Sequence, residues 1–187
     1  MQAASRNTFV DGNWILKKVS NTTTGSVICD QFDCGDDDLN EYFHKDAVLH
    51  RQELLTQTYY LYLSQYPYVA LALLDFCNDA VRFERYKNII KIDPRKQYQY
   101  LPAVKLTRFG VHKELQRMSI GSHALNIVKK FFMTDNRTGC RFLTVDAYNK
   151  PSVINFYHTN GFEPFTDKDA AKLSRALYFD LKRLAVS

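Results

Sequence analysis

The stretch Val104-Lys-Leu-Thr-Arg108-Phe-Gly-Val111-His-Lys-Glu-Leu-Gln116-Arg-Met-Ser119-Ile-Gly121-Ser-His-Ala-Leu125 decides how this chain folds. Its first part predicts an apolar strand ending near Val111, followed by a short polar turn and a helix from about Ile120 to Met133. Ala124, Leu125, Val128, Phe131 and Phe132 give that helix a continuous apolar stripe. The turn places the small residues Ser119 and Gly121 where backbone can approach a ligand closely. A helix N-terminus leaves N–H groups unpaired and carries the positive end of the dipole, which suits a phosphate. An ordinary strand-to-helix turn, with small residues for packing, is the competing reading.

Other elements fall into place on either side. Trp14 to Val19 reads as a first strand, with a polar Asn-Thr-Thr-Thr-Gly turn after it. Asp36 or Asp37 can cap a helix whose apolar side holds Leu39, Tyr42, Phe43 and Ala47. Gln57–Ser64 and Tyr68–Phe76 read as a hairpin around Gln65-Tyr-Pro. Residues 78–99 are charged and ambiguous, a short helix and a loop ending near Pro94. Beyond the central helix, Arg141 to Ala147 is a strand. Pro151 suits the first turn of another helix, Gly161 can close it, and Ala176 to Leu184 is a last strand. The order β, α, β-β, (α), β-α-β-α-β is an α/β (α+β) mixed sheet with one βαβ crossover at its centre.

Chain-wide features narrow the class. A chain of 187 residues suits one domain spanning 1–187, and 12 Tyr with 13 Phe argue for a packed core. The longest apolar run, Val69 to Leu74, is strand-sized, so no membrane span is expected. The N-terminus lacks the plan of a signal peptide, and the cytoplasm is the expected location. Cysteines 29, 34, 77 and 140 form neither a CxxC pair nor a zinc pattern, so reduced thiols and no metal are expected. Charge is uneven. Residues 30–46 hold seven acids against one base, whereas Asn78 to Tyr100 hold six bases against three acids. A basic face can meet the phosphates of a cofactor or of RNA, or it can be a solvated surface.

Three separate pieces resemble the GNAT N-acetyltransferases, in the right order. The first is the strand–turn–helix, similar to the family's acetyl-CoA signature Gln/Arg-x-x-Gly-x-Gly/Ala, with Ser119 in place of the first glycine. The second is Asn149-Lys-Pro-Ser-Val-Ile-Asn-Phe156-Tyr157-His-Thr-Asn-Gly161-Phe162. The third, Phe32-Asp-Cys34-Gly35-Asp-Asp-Asp-Leu39-Asn-Glu-Tyr-Phe43, resembles a narrower group, the GNAT-type toxins of toxin–antitoxin pairs. Leu101-Pro-Ala-Val104 running into Arg108 is also similar to that group's central strand. The likeness covers about residues 30 to 182.

The resemblance implies a fold with central splayed strands and an acetyl-CoA-dependent transfer of acetyl to a primary amine. It assigns the cofactor to Phe109, Gly110 and Val111 on the strand, to Gln116, Arg117, Ser119, Ile120, Gly121 and Ser122 in the turn, and to Asn149, which otherwise fixes the strand end. Tyr157 is implied as the general acid for the departing thiolate, since a phenol of pKa about 10 is protonated at neutral pH. Arg108 would face a substrate phosphate or else pair with a carboxylate. No general base stands out, and His112 and His158 read as exposed. The toxin-like group acetylates aminoacyl-tRNA and pairs with a small antitoxin protein, and many such domains form homodimers. Protein or small-molecule amines, or a non-catalytic module that binds CoA or a partner, are the alternatives.

Overall fold

The computed structural model describes residues 7–20, 23–82, 98–134, 136 and 139–185. Of the stretch 78–99, expected as a short helix and loop, residues 78–82 instead continue a strand; residues 83–97, with most of the bases, lie outside the described residues. The chain divides into two compact units, Met1–Cys77 with Leu106–Phe131, and Asn78–Lys105 with Phe132–Ser187.

The first unit opens with a hairpin of Thr8–Asp11 (β1) and Trp14–Lys18 (β2), in which Asp11 faces Trp14 across the two-residue turn Gly12-Asn13. Gly12 takes φ +62°, the left-handed conformation that such tight turns require. Thr23–Asp30 form a helix (α1) where the sequence reads as a turn. Ile28 and Cys29 on it are buried in a core with Val19, Phe32, Phe43, Tyr60 and Leu73, so tertiary burial overrides weak propensity. A second helix, Asp37–Glu41 (α2), starts where Asp36 accepts a hydrogen bond from the Leu39 N–H at 3.1 Å, as its acidic cap suggested. It widens into a π-turn over Tyr42–Asp46 and continues as Ala47–Gln52 (α3).

Gln57–Leu63 (β3) runs antiparallel to Ala72–Arg82 (β4). The second strand thus begins four residues later than the hydrophobic run suggests. Turns at Leu63–Tyr66 and Tyr66–Val69 take up the intervening chain and leave Tyr66, Tyr68 and Val69 exposed. Tyr100–Val111 (β5) leads through a 3-10 turn at Lys113–Leu115 to Ile120–Met133 (α4), with the bounds that the periodicity gives. Ala124, Leu125, Ile127 and Val128 are at most 1% exposed. Losing a side chain such as Leu125 down to alanine costs about 2–5 kcal/mol at such a site. Phe131 packs against Phe9 and Tyr59, at ring separations of 6.0 and 5.3 Å.

In the second unit, Phe142–Tyr148 (β6) pairs antiparallel with Ser174–Asp180 (β8), which pairs in turn with the two-residue strand Glu163–Pro164 (β7). Pro151 opens the helix Pro151–Thr159 (α5), and Gly161, at φ +80°, follows its end. The last strand stops at Asp180, short of the expected Leu184. Asp180 holds Arg141 through two bonds of 2.6 and 2.8 Å and caps a 3-10 turn over Leu181–Leu184. Val81, Leu101, Ala103 and Phe142 form a core here with Phe165 and Tyr178 against it. The eight strands follow the order β1-β2-β3-β4-β5-β6-β8-β7, and the helix α4 connects β5 to β6. This is the mixed α/β sheet expected.

Candidate active site

The turn before α4 is built from unusual backbone. Gln116 is extended (φ −64°, ψ 152°), and Arg117 and Ser119 both take φ +62°. A left-handed conformation costs a residue with a side chain roughly 1–2 kcal/mol. Two such residues in one turn mark a place where strain serves function. The Ser119 carbonyl accepts the first helical bond, from His123 N–H at 3.0 Å. The N–H groups of Arg117, Met118, Ser119, Ile120 and Gly121 have no acceptor among the described residues. These donors, ahead of the positive end of a 14-residue helix, suit a pyrophosphate. Ser119 keeps its N–H, so the serine leaves the donor set intact.

Gln116, expected to bind cofactor, has its side-chain amide engaged with protein. Its Nε2 donates to the carbonyls of Cys34 at 2.7 Å and Val111 at 3.2 Å. The Phe-Asp-Cys-Gly loop is thereby tied to the end of β5. Asp33 strengthens the tie, accepting from Lys113 at 2.6 Å and from Gly35 N–H and Asn40, both at 2.8 Å. Lys113 is the main reason that the Asp33 carboxyl sits well below the usual carboxylate range. Asn40 Oδ1 accepts from both the N–H and the thiol of Cys34. Burial pushes that thiol upward and Cys29 up to about 11, so neither is a ready nucleophile.

Along β5, Phe109 and Val111 are half-buried and Gly110 is buried. A Cβ at Gly110 would lie 3.1 Å from both Cys34 Cβ and Phe32 Cε1. Close packing against that loop favours a glycine here. Arg108 is exposed. Its Nη1 donates to the Thr107 carbonyl at 3.0 Å, and its guanidinium lies 4.8 Å from the centre of the Tyr42 ring. It pairs with no carboxylate among the described residues.

Beneath that ring is a polar network that sequence reasoning missed. Asp75 is fully buried on β4. Its Oδ2 accepts from Tyr42 at 2.7 Å and its Oδ1 from Thr58 at 2.7 Å. Thr107 Oγ1 lies 3.0 Å from both Oδ2 and the Asp75 carbonyl. Arg51 Nη1 donates to Thr58 Oγ1 at 3.0 Å. His50 Nδ1 lies 3.3 Å from the Tyr42 hydroxyl. Burial first, and Asp75 as an acceptor, push the Tyr42 phenol up, so it stays a donor. A single acid inside the run Ala70–Phe76 was the available signal.

In the second unit, Tyr157 is buried and packs edge-on against Phe156 at 5.2 Å and Phe162 at 5.3 Å. Its hydroxyl has no partner among the described residues. Burial pushes the phenol above its ordinary value, so it keeps its proton through the neutral range. Asn149 Nδ2 donates to the carbonyls of Ala170 at 2.7 Å and Lys172 at 2.8 Å, fixing the loop beyond the end of β6. His158 is exposed, and His112, half-buried, packs edge-on against Phe32.

Residues 89–162 match the sequence profile of the Acetyltransferase (GNAT) family. Over those residues the chain resembles a GNAT acetyltransferase domain. Acetyl-CoA is that family's acetyl donor, and the turn's donor set fits its phosphates. Among solved structures, the chain is similar to AtaTR bound with AcCoA, at 22% identity, TM-score 0.67, and coverage of 94% of this chain and 98% of that one. It is also similar to AtaT complexed with acetyl-methionyl-tRNAfMet, at 20% identity and TM-score 0.68 over 92% and 98% of the two chains. A mutant AtaT toxin bound to the C-terminus of the antitoxin AtaR aligns at 19% identity and TM-score 0.65, over 92% and 95%. These likenesses establish the GNAT fold. No curated protein sequence matches the chain. No helix among the described residues is long and apolar enough to cross a membrane.

Proposed function

We infer that this GNAT domain acetylates the α-amino group of aminoacyl-tRNA and acts as a translation-blocking toxin held in check by a small antitoxin. The observation that carries the cofactor half is the set of unpaired N–H groups from Arg117 to Gly121. The acceptor half is supported by Arg108, an exposed cation with no carboxylate partner among the described residues, which suits a phosphate. The fold-level likeness to AtaT with its acetylated tRNA, and to the toxin with its antitoxin, points the same way.

Acetyl-CoA supplies an activated thioester, and the chain supplies the rest. The turn from Arg117 to Ser122 holds the phosphates, and backbone groups at Phe109, Gly110 and Val111 hold the pantetheine. Tyr157 keeps a proton on its hydroxyl for the sulfur that leaves. As the amine nitrogen bonds to the acetyl carbon the carbon–sulfur bond breaks; Tyr157 protonates the sulfur, and the nitrogen's surplus proton passes to water. Asn149 holds the strand end from which α5 presents Tyr157. A neutral amine is nucleophilic enough to need no dedicated base.

Radiolabelled acetyl-CoA incubated with a cell extract, for wild type and Tyr157→Phe side by side, tests this reading. Alkali-labile label in RNA, absent with the variant, is expected. Label in protein or small amines would overturn the acceptor, and no label with cofactor binding intact would leave a non-catalytic module.

A further inference from the structure

The Tyr42–Asp75 network plays no part in the chemistry above, and an apolar core would be simpler to build. A fully buried carboxylate is costly unless it is thoroughly satisfied. Here four segments converge to satisfy it: the π-turn with Tyr42, β3 with Thr58, β4 with Asp75 and β5 with Thr107. The π-turn is itself a local departure that recurs at functional sites. In it the Ala47 N–H reaches back to the Tyr42 carbonyl. The result is a Tyr42 ring fixed at its edge by Asp75 and flanked by Phe43 and His50, at ring separations of 5.5 and 5.4 Å. The exposed Arg108 guanidinium is seated on its face.

We propose that Tyr42 is a positioning residue: its ring holds the Arg108 guanidinium in one orientation, ready to take a phosphate of a phosphate-bearing acceptor. A free arginine side chain samples many rotamers, and fixing one beforehand removes that ordering cost from binding. A guanidinium stacked on an aromatic face keeps its in-plane N–H donors available for a phosphate, which an ammonium could not match. This rests on the acceptor reading for its substrate, while the seat itself is testable without one.

The first readout is the 15N relaxation of the Arg108 Nε–Hε group in the full chain, assigned by its loss in Arg108→Lys. Tyr42→Phe is the reference, because it keeps the ring while sharing the lost hydroxyl bond with Tyr42→Leu. Arg108 should be rigid in wild type and in Tyr42→Phe, and mobile in Tyr42→Leu. Equal mobility in all three would overturn the proposal. If Tyr42→Leu melts below the assay temperature, Tyr42→Met fills more of the volume and removes the same aromatic face.

The second readout is KM for total aminoacylated tRNA at saturating acetyl-CoA. Tyr42→Leu should raise it about three- to fivefold over Tyr42→Phe, the effect of one exposed cation–π contact, with kcat and acetyl-CoA affinity within about twofold. Arg108→Ala should raise KM at least as much, and the double variant no further. Additive effects would overturn the positioning role. A rigid Arg108 that loosens in Tyr42→Leu, in a wild type that acetylates no aminoacyl-tRNA, would uphold the seat and overturn the phosphate-bearing acceptor.

Discussion

Replacing Ser119 by glycine isolates the cost of the left-handed turn. At φ +62° a side chain costs roughly 1–2 kcal/mol that glycine does not incur. Glycine also loosens the unfolded chain, which takes back about 0.4–1 kcal/mol. The expected balance is a gain of about 0.5–1 kcal/mol, a rise in Tm of about 1–4 °C for a chain of this size. The N–H donor is unchanged, so acetyl-CoA affinity by calorimetry should stay within about twofold unless the hydroxyl binds phosphate. Ser119→Ala separates the two effects, since it keeps the strain and loses the hydroxyl. Should both variants weaken binding about tenfold, the hydroxyl contributes a bond of ordinary strength. A fall in Tm for Ser119→Gly would refute the strain argument.

Tyr157→Phe should lower kcat by about 10²–10⁴, the range for general acid catalysis, with acetyl-CoA affinity unchanged by calorimetry. Because burial raises the Tyr157 phenol, the acid stays loaded below about pH 10. The kcat profile should therefore show no alkaline limb from this group at pH 6–9, and a limb near pH 8 that vanishes in Tyr157→Phe would contradict the assignment. Gly121→Glu should abolish acetyl-CoA binding while circular dichroism stays native, because a carboxylate suits a helix N-terminus but blocks an anion. Asp33→Asn should lower Tm at pH 7. Asp33 has a depressed carboxyl, so its stabilisation is present above the unfolded value near 4 and fades as pH falls. Melts at pH 7 and pH 3 should show the gap between variant and wild type narrowing.

The central strand, α4 and the Asn149–Phe162 segment were legible because each carries its own periodicity and punctuation. Pro151 opens a helix and Gly161 follows one wherever they sit. The β1–β2 hairpin was also written locally, in Gly12-Asn13, but its outer strand is only four residues long. What escaped depends on the fold. Only the folded chain shows the Gln116 amide on the Cys34 carbonyl, or Phe32 packed against Gly110. Tyr42 occupies a core position at helical spacing, and only the folded chain shows its hydroxyl on Asp75. Burial of an acid is set by partners that sequence order keeps 17 to 33 residues away.

The bracing of the Cys34 loop by Gln116 and Lys113 bears on how such a chain can change its specificity. Residues 33–40 and the approach to the cofactor turn are one mechanical part, although 82 residues separate Cys34 from Gln116. A loop grafted here from another GNAT protein would arrive without matching anchors unless positions 113 and 116 travelled with it. Divergence in this region should proceed by paired replacement, and recombination between Cys34 and Gln116 should be poorly tolerated.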